Sequence, residues 1–82
     1  MIPRIKSIET LSNLRLRIVF DDEKTVEYDV SEDVKELPGY QMLESEKGLF
    51  EKVQVDESRT VIYWNDEIDL PSDILYEYGR TV

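Results

Sequence analysis

Acid–base chemistry in this sequence would depend on carboxylates, lysines and tyrosines, because the chain contains neither histidine nor cysteine. Catalytic triads, thiol nucleophiles and most transition-metal sites require one of those two residue types. A carboxylate or lysine can still act as a general acid or base, but it needs a concave pocket. A chain of 82 residues builds only one thin core. We therefore expect a protein that is not an enzyme and that uses no cofactor and no metal.

Carboxylates are concentrated in two short segments, Asp21-Asp22-Glu23 and Asp66-Glu67-Ile68-Asp69. Neither segment has the spaced oxygens and the turn glycine of a calcium-binding loop. We interpret both as solvated turns. Asp69 differs because it stands shortly before Pro71, where a helix is expected to begin. We interpret Asp69 as a cap of that helix or as an acceptor for nearby backbone N–H groups.

The charge of the chain is unevenly distributed. Ten basic and 19 acidic residues give a net charge of -9, with +3 on residues 1–19 and -12 on residues 20–82. Such a chain repels duplex DNA as a whole and attracts basic partners. We therefore expect a small, basic protein partner. Nucleic-acid binding is the alternative, through a stripe that lacks interleaved aromatic residues and consists of Arg4, Lys6, Arg15 and Arg17.

Alternation of apolar and polar residues predicts two antiparallel hairpins. The first joins Leu14–Phe20 to Lys24–Val30, with Arg15 and Arg17 facing Glu27 and Asp29 across the strands. A preceding strand is expected at residues 4–10. The second hairpin joins residues 50–55 to residues 60–64, and the latter strand is apolar on both faces, which is typical of a central strand.

Three short helices are expected between and after the hairpins. Ser31 is a suitable N-cap for a helix that stops at Pro38-Gly39. Residues 40–47 form a second helical stretch, and a last helix follows Pro71 from Ser72 to Tyr78. Its inner face is expected to carry Ile74, Leu75 and Tyr78. Adjacent strands with separate helices predict one α+β domain over residues 1–82, with a mainly antiparallel sheet of about five strands.

Aromatic residues near the C-terminal end provide the candidate binding residues. Tyr63 and Trp64 are neighbours in a strand and point to opposite faces, so one of them must meet a helix, a partner or water. Aromatic side chains are also enriched at protein interfaces. The residues that we predict to contact a partner are Tyr63, Trp64, Asp69 and Tyr76.

The sequence carries no sign of membrane insertion. No apolar run approaches the ~18 residues that a membrane-spanning helix needs. The start, Met1-Ile2-Pro3-Arg4, lacks the apolar region of a signal peptide. We expect a cytoplasmic protein that does not enter a membrane. An exposed edge strand can pair with a second copy of the chain, so a homodimer is a further expectation.

Several of these segments, taken together, are typical of one family. The sharpest are Ile62-Tyr63-Trp64, Asp69-Leu70-Pro71 and Ile74-Leu75-Tyr76. The other segments are Pro3-Arg4-Ile5, residues 16–22, residues 37–43 and residues 50–56. In this combination the chain resembles, over nearly its whole length, the family of small, mainly bacterial proteins catalogued as domain of unknown function 2442. It departs from the family where Glu23 and Glu67 replace turn glycines and Asn65 replaces a proline.

The resemblance implies no catalytic residue, because none is established for the family. Family members look like standalone proteins, sometimes fused to a helix-turn-helix domain. They often sit beside a gene for another small protein, an arrangement similar to toxin–antitoxin pairs. The implied function is a non-catalytic protein-interaction module, the acidic, antitoxin-like member of a two-gene pair. The alternative is a nucleic-acid-associated transcriptional regulator.

Overall fold

A computed structural model describes residues 2–37, 39–46, 48–65 and 68–82. These residues form seven strands, three α-helices and one 3-10 turn at Phe50–Lys52. The strands are β1 (Ile5–Leu11), β2 (Arg15–Phe20), β3 (Thr25–Asp29), β4 (Gln54–Val55), β5 (Val61–Tyr63), β6 (Asp69–Pro71) and β7 (Arg80–Thr81). The helices are α1 (Ser31–Glu36), α2 (Met42–Ser45) and α3 (Ser72–Tyr78). The predicted α+β class is confirmed.

The first sheet has the order β1-β2-β3-β7, and all of its pairs are antiparallel. Its central hairpin pairs β2 with β3 as predicted, and in the observed register Arg17 lies opposite Glu27 and Arg15 opposite Asp29. The alternation of β2 places Leu16, Ile18 and Phe20 in the core, where each is no more than 1% exposed. The opposite face of this sheet therefore carries the charged residues.

The second sheet has the order β4-β5-β6 and is also antiparallel. The prediction that the apolar strand around Ile62 is central is confirmed, since β5 lies between the two others. The strand predicted over residues 50–55 is wrong in its first half. Residues 50–52 form a 3-10 turn that buries Phe50, and only Gln54–Val55 pairs with β5. The strands thus divide between two sheets instead of forming one.

The two sheets are joined by hydrogen bonds that involve the N-terminal segment. The Ser72 hydroxyl donates to the Pro3 carbonyl at 2.6 Å, and Ser72 is fully buried. The Ile5 amide donates to the Arg59 carbonyl at 2.7 Å. The Arg59 guanidinium donates both its terminal N–H groups to the Asp21 carboxylate, at 2.9 and 3.0 Å. These contacts fix the start of β1 against the turn before β5.

The first two helices differ in detail from their predictions. Ser31 is the first residue of α1 and not its N-cap, which is Val30 in a helical conformation. The Asp29 carboxylate accepts the Ser31 amide instead, so the capping oxygen comes from the end of β3. The second helix is confined to Met42–Ser45, where Leu43 is buried. Pro38 and Lys47, which were assigned to the ends of these helices, lie outside the described residues.

The last helix has the predicted bounds, Ser72–Tyr78. Its inner face carries the buried residues Ser72 and Leu75, spaced as i and i+3, and Gly79 directly after the helix lies close to Val26. The prediction that Tyr78 points inward is therefore wrong, and its side chain is 73% exposed. In the part of the chain that is described, no helix has both the length and the apolar character needed to cross a membrane.

Candidate functional site

Trp64, the first candidate residue, is part of the core. Its side chain is 6% exposed, and its ring stacks on Phe50 with 6.1 Å between the ring centroids. The indole N–H donates to the Phe50 carbonyl oxygen at 3.0 Å. The prediction that Trp64 contacts a partner stays a prediction. It holds the 3-10 turn against the second sheet.

Tyr63 and Asp69 are brought together as partners in the β5–β6 pair. The Tyr63 side chain is half-buried, and its hydroxyl donates to Gln54 Oε1 at 3.1 Å across the sheet. Asp69 is exposed, and its main-chain carbonyl accepts the Tyr40 hydroxyl. The prediction that Asp69 caps the last helix is wrong, because Pro71 occupies the N-cap position of α3 without a side-chain hydrogen bond.

Tyr76 lies apart from those residues, against the first hairpin. Its ring meets Phe20 edge-on with 4.9 Å between the ring centroids, and Lys24 Nζ lies 3.9 Å from its centroid. The Tyr76 hydroxyl donates to Asp22 Oδ2 at 2.6 Å. This hydrogen bond is the main cause that lowers the pKa of Asp22 and raises the pKa of Tyr76. Tyr76 therefore connects α3 to the β2–β3 turn.

A groove of about 540 Å³ opens beside this contact, where the N-terminal segment crosses the β2–β3 turn. We call it the junction groove; it is lined by Ile2, Pro3, Arg4, Phe20, Asp21, Asp22 and Thr60. Its two aspartates are already engaged, Asp21 by Arg59 and Asp22 by Tyr76. A general acid at neutral pH needs a raised carboxyl pKa, whereas the pKa of Asp22 is lowered.

Three of the four residues of the predicted basic stripe, Lys6, Arg15 and Arg17, are paired with carboxylates on the first sheet and its turn. Lys6 Nζ lies 2.9 Å from Glu23, and Arg17 lies 3.4 Å from Glu9 and 3.2 Å from Glu27. Arg15 also approaches Glu27, at 3.9 Å. These ion pairs neutralise most of the positive charge that the stripe would need to bind phosphate groups.

A second groove, of about 400 Å³, lies between α1, the end of β3 and α3. We call it the Tyr78 groove; its lining residues are Tyr28, Asp29, Glu32, Asp33, Ile74 and Tyr78. The Tyr28 hydroxyl donates to Asp33 Oδ2 at 2.7 Å. Burial, followed by this bond to the carboxylate, raises the pKa of Tyr28. The groove thus combines an exposed aromatic ring with carboxylates.

Sequence analysis missed the Tyr78 groove because it assigned Tyr78 to the inner face of α3. The sequence carries no clear signal for its position, because Tyr78 lies three residues after the buried Leu75, a spacing typical of one helix face, and yet is 73% exposed.

The model of one protein family, described as Protein of unknown function (DUF2442), matches residues 5–81. The chain belongs to the DUF2442 family. No curated protein and no solved structure matches it.

In this DUF2442 protein, the segments that resemble the family mainly form the core and the contacts between elements. Ile62, Trp64, Leu70 and Leu75 are buried, and Tyr76 joins α3 to the first hairpin. Within residues 2–37, 39–46, 48–65 and 68–82, no group of three or more Asp or Glu residues has the arrangement of a metal site. Two residues of the predicted acidic turn at 66–69, Asp66 and Glu67, lie outside the described residues.

Proposed function

We propose that this DUF2442 protein is a non-catalytic protein-interaction module that binds a small, basic protein. The observation that carries the proposal is the separation of charge over the fold. Lys6, Arg15, Arg17 and Arg59 are ion-paired within the chain. Residues 29–46 instead hold six carboxylates and one lysine, and the described residues of this segment form no ion pair.

Unpaired surface carboxylates generate a negative potential that attracts a basic partner over roughly one Debye length, ~8 Å at physiological salt. The segment carries α1 and α2, so its charges are held on a folded surface of short helices. Electrostatic attraction of this kind accelerates encounter and favours partners of opposite charge. In this proposal the chain acts in the cytoplasm as the acidic, antitoxin-like member of a two-gene pair.

The alternative, a nucleic-acid-associated regulator, has less support. Lys6, Arg15 and Arg17 would have to exchange their carboxylate partners for phosphates. The nearby carboxylates would then repel the same phosphates.

Co-expression with the protein encoded by the neighbouring gene tests the proposal. We expect a complex in size-exclusion chromatography at low salt whose dissociation constant rises with salt concentration. Two variants with the same change in net charge sharpen the test: Glu44→Lys alters the acidic helical segment, and Glu57→Lys alters an exposed turn near β5. Glu44→Lys should weaken the complex more than Glu57→Lys does. Absence of a complex at low salt would contradict the proposal.

A further inference from the structure

We propose that the Tyr78 groove receives an arginine side chain of the partner protein. This inference rests on the proposed function and adds the place and the chemistry of the contact. The groove offers three features that an arginine side chain needs in close proximity: an apolar wall, an aromatic face and carboxylate oxygens.

The apolar wall and the aromatic face come from α3. Tyr78 is 73% exposed at the last position of the helix, and Ile74 lies one turn before it, half-buried against the core. Residues four apart on a helix lie on the same side, so the two side chains are neighbours. The methylene groups of an arginine can pack on Ile74 while its guanidinium stacks on the Tyr78 ring.

The carboxylate oxygens come from the opposite wall. Asp29 uses Oδ1 to accept the Ser31 amide, and Asp33 uses Oδ2 to accept the Tyr28 hydroxyl. In the described part of the chain, the remaining oxygen of each aspartate makes no hydrogen bond, and Glu32 is exposed in the first turn of α1. None of the described residues that line the groove is basic. A guanidinium can donate one N–H to the free oxygen of each aspartate, or two parallel N–H groups to the Glu32 carboxylate.

The junction groove does not offer the same chemistry. It is lined by Arg4, which repels a guanidinium, and its aspartates are occupied by Arg59 and Tyr76. Charge disfavours only the junction groove, because a third groove, of about 280 Å³, is also lined by carboxylates and by no described basic residue. Its aromatic residue, Phe50, is buried, so the exposed aromatic ring distinguishes the Tyr78 groove as the site for an arginine.

The test uses the full chain labelled with 15N and a synthetic amphipathic helical peptide with arginine on one face and leucine on the other. Matched peptides carry lysine or glutamine in place of arginine. We expect the largest chemical-shift changes at residues 28–33 and 74–78, tightest binding with arginine, and none with glutamine. Tyr78→Leu should weaken binding about two- to fivefold, whereas Tyr78→Phe keeps the ring and should change it less.

Two variants of equal charge separate a local contact from general attraction. Glu32→Gln removes a carboxylate of the groove, and Glu57→Gln removes one that is exposed near β5. A larger loss of affinity with Glu32→Gln supports the inference. Equal losses, or shift changes that map elsewhere, would overturn it. The proposed function would then be judged by the complex with the neighbouring gene's product, which does not depend on where this peptide binds.

Discussion

Tyr76 is the residue at which three kinds of contact meet. Its ring packs on Phe20 in the core, its face lies under Lys24, and its hydroxyl reaches Asp22. The Lys24 ammonium also donates to the Tyr76 carbonyl at 3.2 Å. The hydroxyl and the carbonyl of Tyr76 therefore both hold α3 on the β2–β3 turn, and its ring packs on Phe20 beneath them.

Replacement of Tyr76 by phenylalanine should raise the pKa of Asp22 toward its ordinary value of 3.8. A carboxyl group whose pKa is lowered by folding stabilises the protein above its unfolded pKa, and this contribution is lost as the pH falls through the lowered value. Tyr76→Phe should therefore lose less stability between neutral pH and acid than the natural chain does. A carboxyl-carbon NMR titration and urea unfolding at several pH values measure both effects. Tyr78→Phe is the control, and an unchanged Asp22 pKa in Tyr76→Phe would contradict the prediction.

Residue roles were predictable from sequence where they depend on strand alternation. Arg17 and Glu27 were expected to face each other, and their side chains lie 3.2 Å apart. The bond from the Trp64 indole to the Phe50 carbonyl was not predictable, because it requires the chain to leave extended geometry at residues 50–52. Asp69 was misread for a related reason: β6 and α3 are contiguous, so no loop places its carboxylate over the helix.

The end of α3 is the element where packing leaves least space. A β-carbon built on Gly79 would lie 2.5 Å from the Leu75 carbonyl oxygen and 2.8 Å from Val26 Cγ2. The backbone of Gly79 has φ of -69°, which any residue can adopt. Glycine is therefore required here by the close approach of α3 to β3 and not by backbone conformation.

Gly79→Ala should destabilise the protein by about 1–3 kcal/mol, because the added methyl group displaces either β3 or the helix end. The entropy that alanine removes from the unfolded chain offsets only ~0.4–1 kcal/mol of this. The matched variant is Gly39→Ala, where a β-carbon would meet nothing within 4 Å but φ is +90°. It should cost only the backbone strain, ~1 kcal/mol. Urea unfolding of both variants measures the difference, and a smaller loss for Gly79→Ala would refute the packing argument.

Elements with regular periodicity were predictable, and those shaped by single turns were less so. Proline before Ser72 and glycine after Tyr78 marked the bounds of α3 correctly. The turn after β2 also forms where expected, although Glu23 adopts a φ of +73°, a conformation that favours glycine. Ser31 was misassigned because the Asp29 carboxylate, two residues earlier, takes the capping role that its hydroxyl was expected to play.

At the scale of the whole molecule, the two sheets are joined by contacts between distant parts of the chain. The hydrogen bond from Ser72 to Pro3 joins residues 69 apart, and the ion pair of Arg59 with Asp21 joins residues 38 apart. Strand patterns contain no signal for such closures, because they report only which face of a strand is buried. The paired cations Lys6, Arg15 and Arg17 lie on the first sheet, whereas the described carboxylates of segment 29–46 form no ion pair.

This charge distribution predicts that moderate salt stabilises the protein. A net charge of -9 on 82 residues produces self-repulsion that screening relieves. Screening also weakens the exposed ion pairs of the first sheet, but each contributes at most about 1 kcal/mol and often much less. Raising sodium chloride from near zero to physiological concentration should therefore increase the Tm, on the order of 4–8 °C if the gain is ~1 kcal/mol.

The double variant Glu44→Gln and Glu46→Gln should start from a higher Tm and respond less to salt. A Tm that falls with salt would mean that the ion pairs stabilise the protein by more than the repulsion among its carboxylates destabilises it. That result would contradict the prediction.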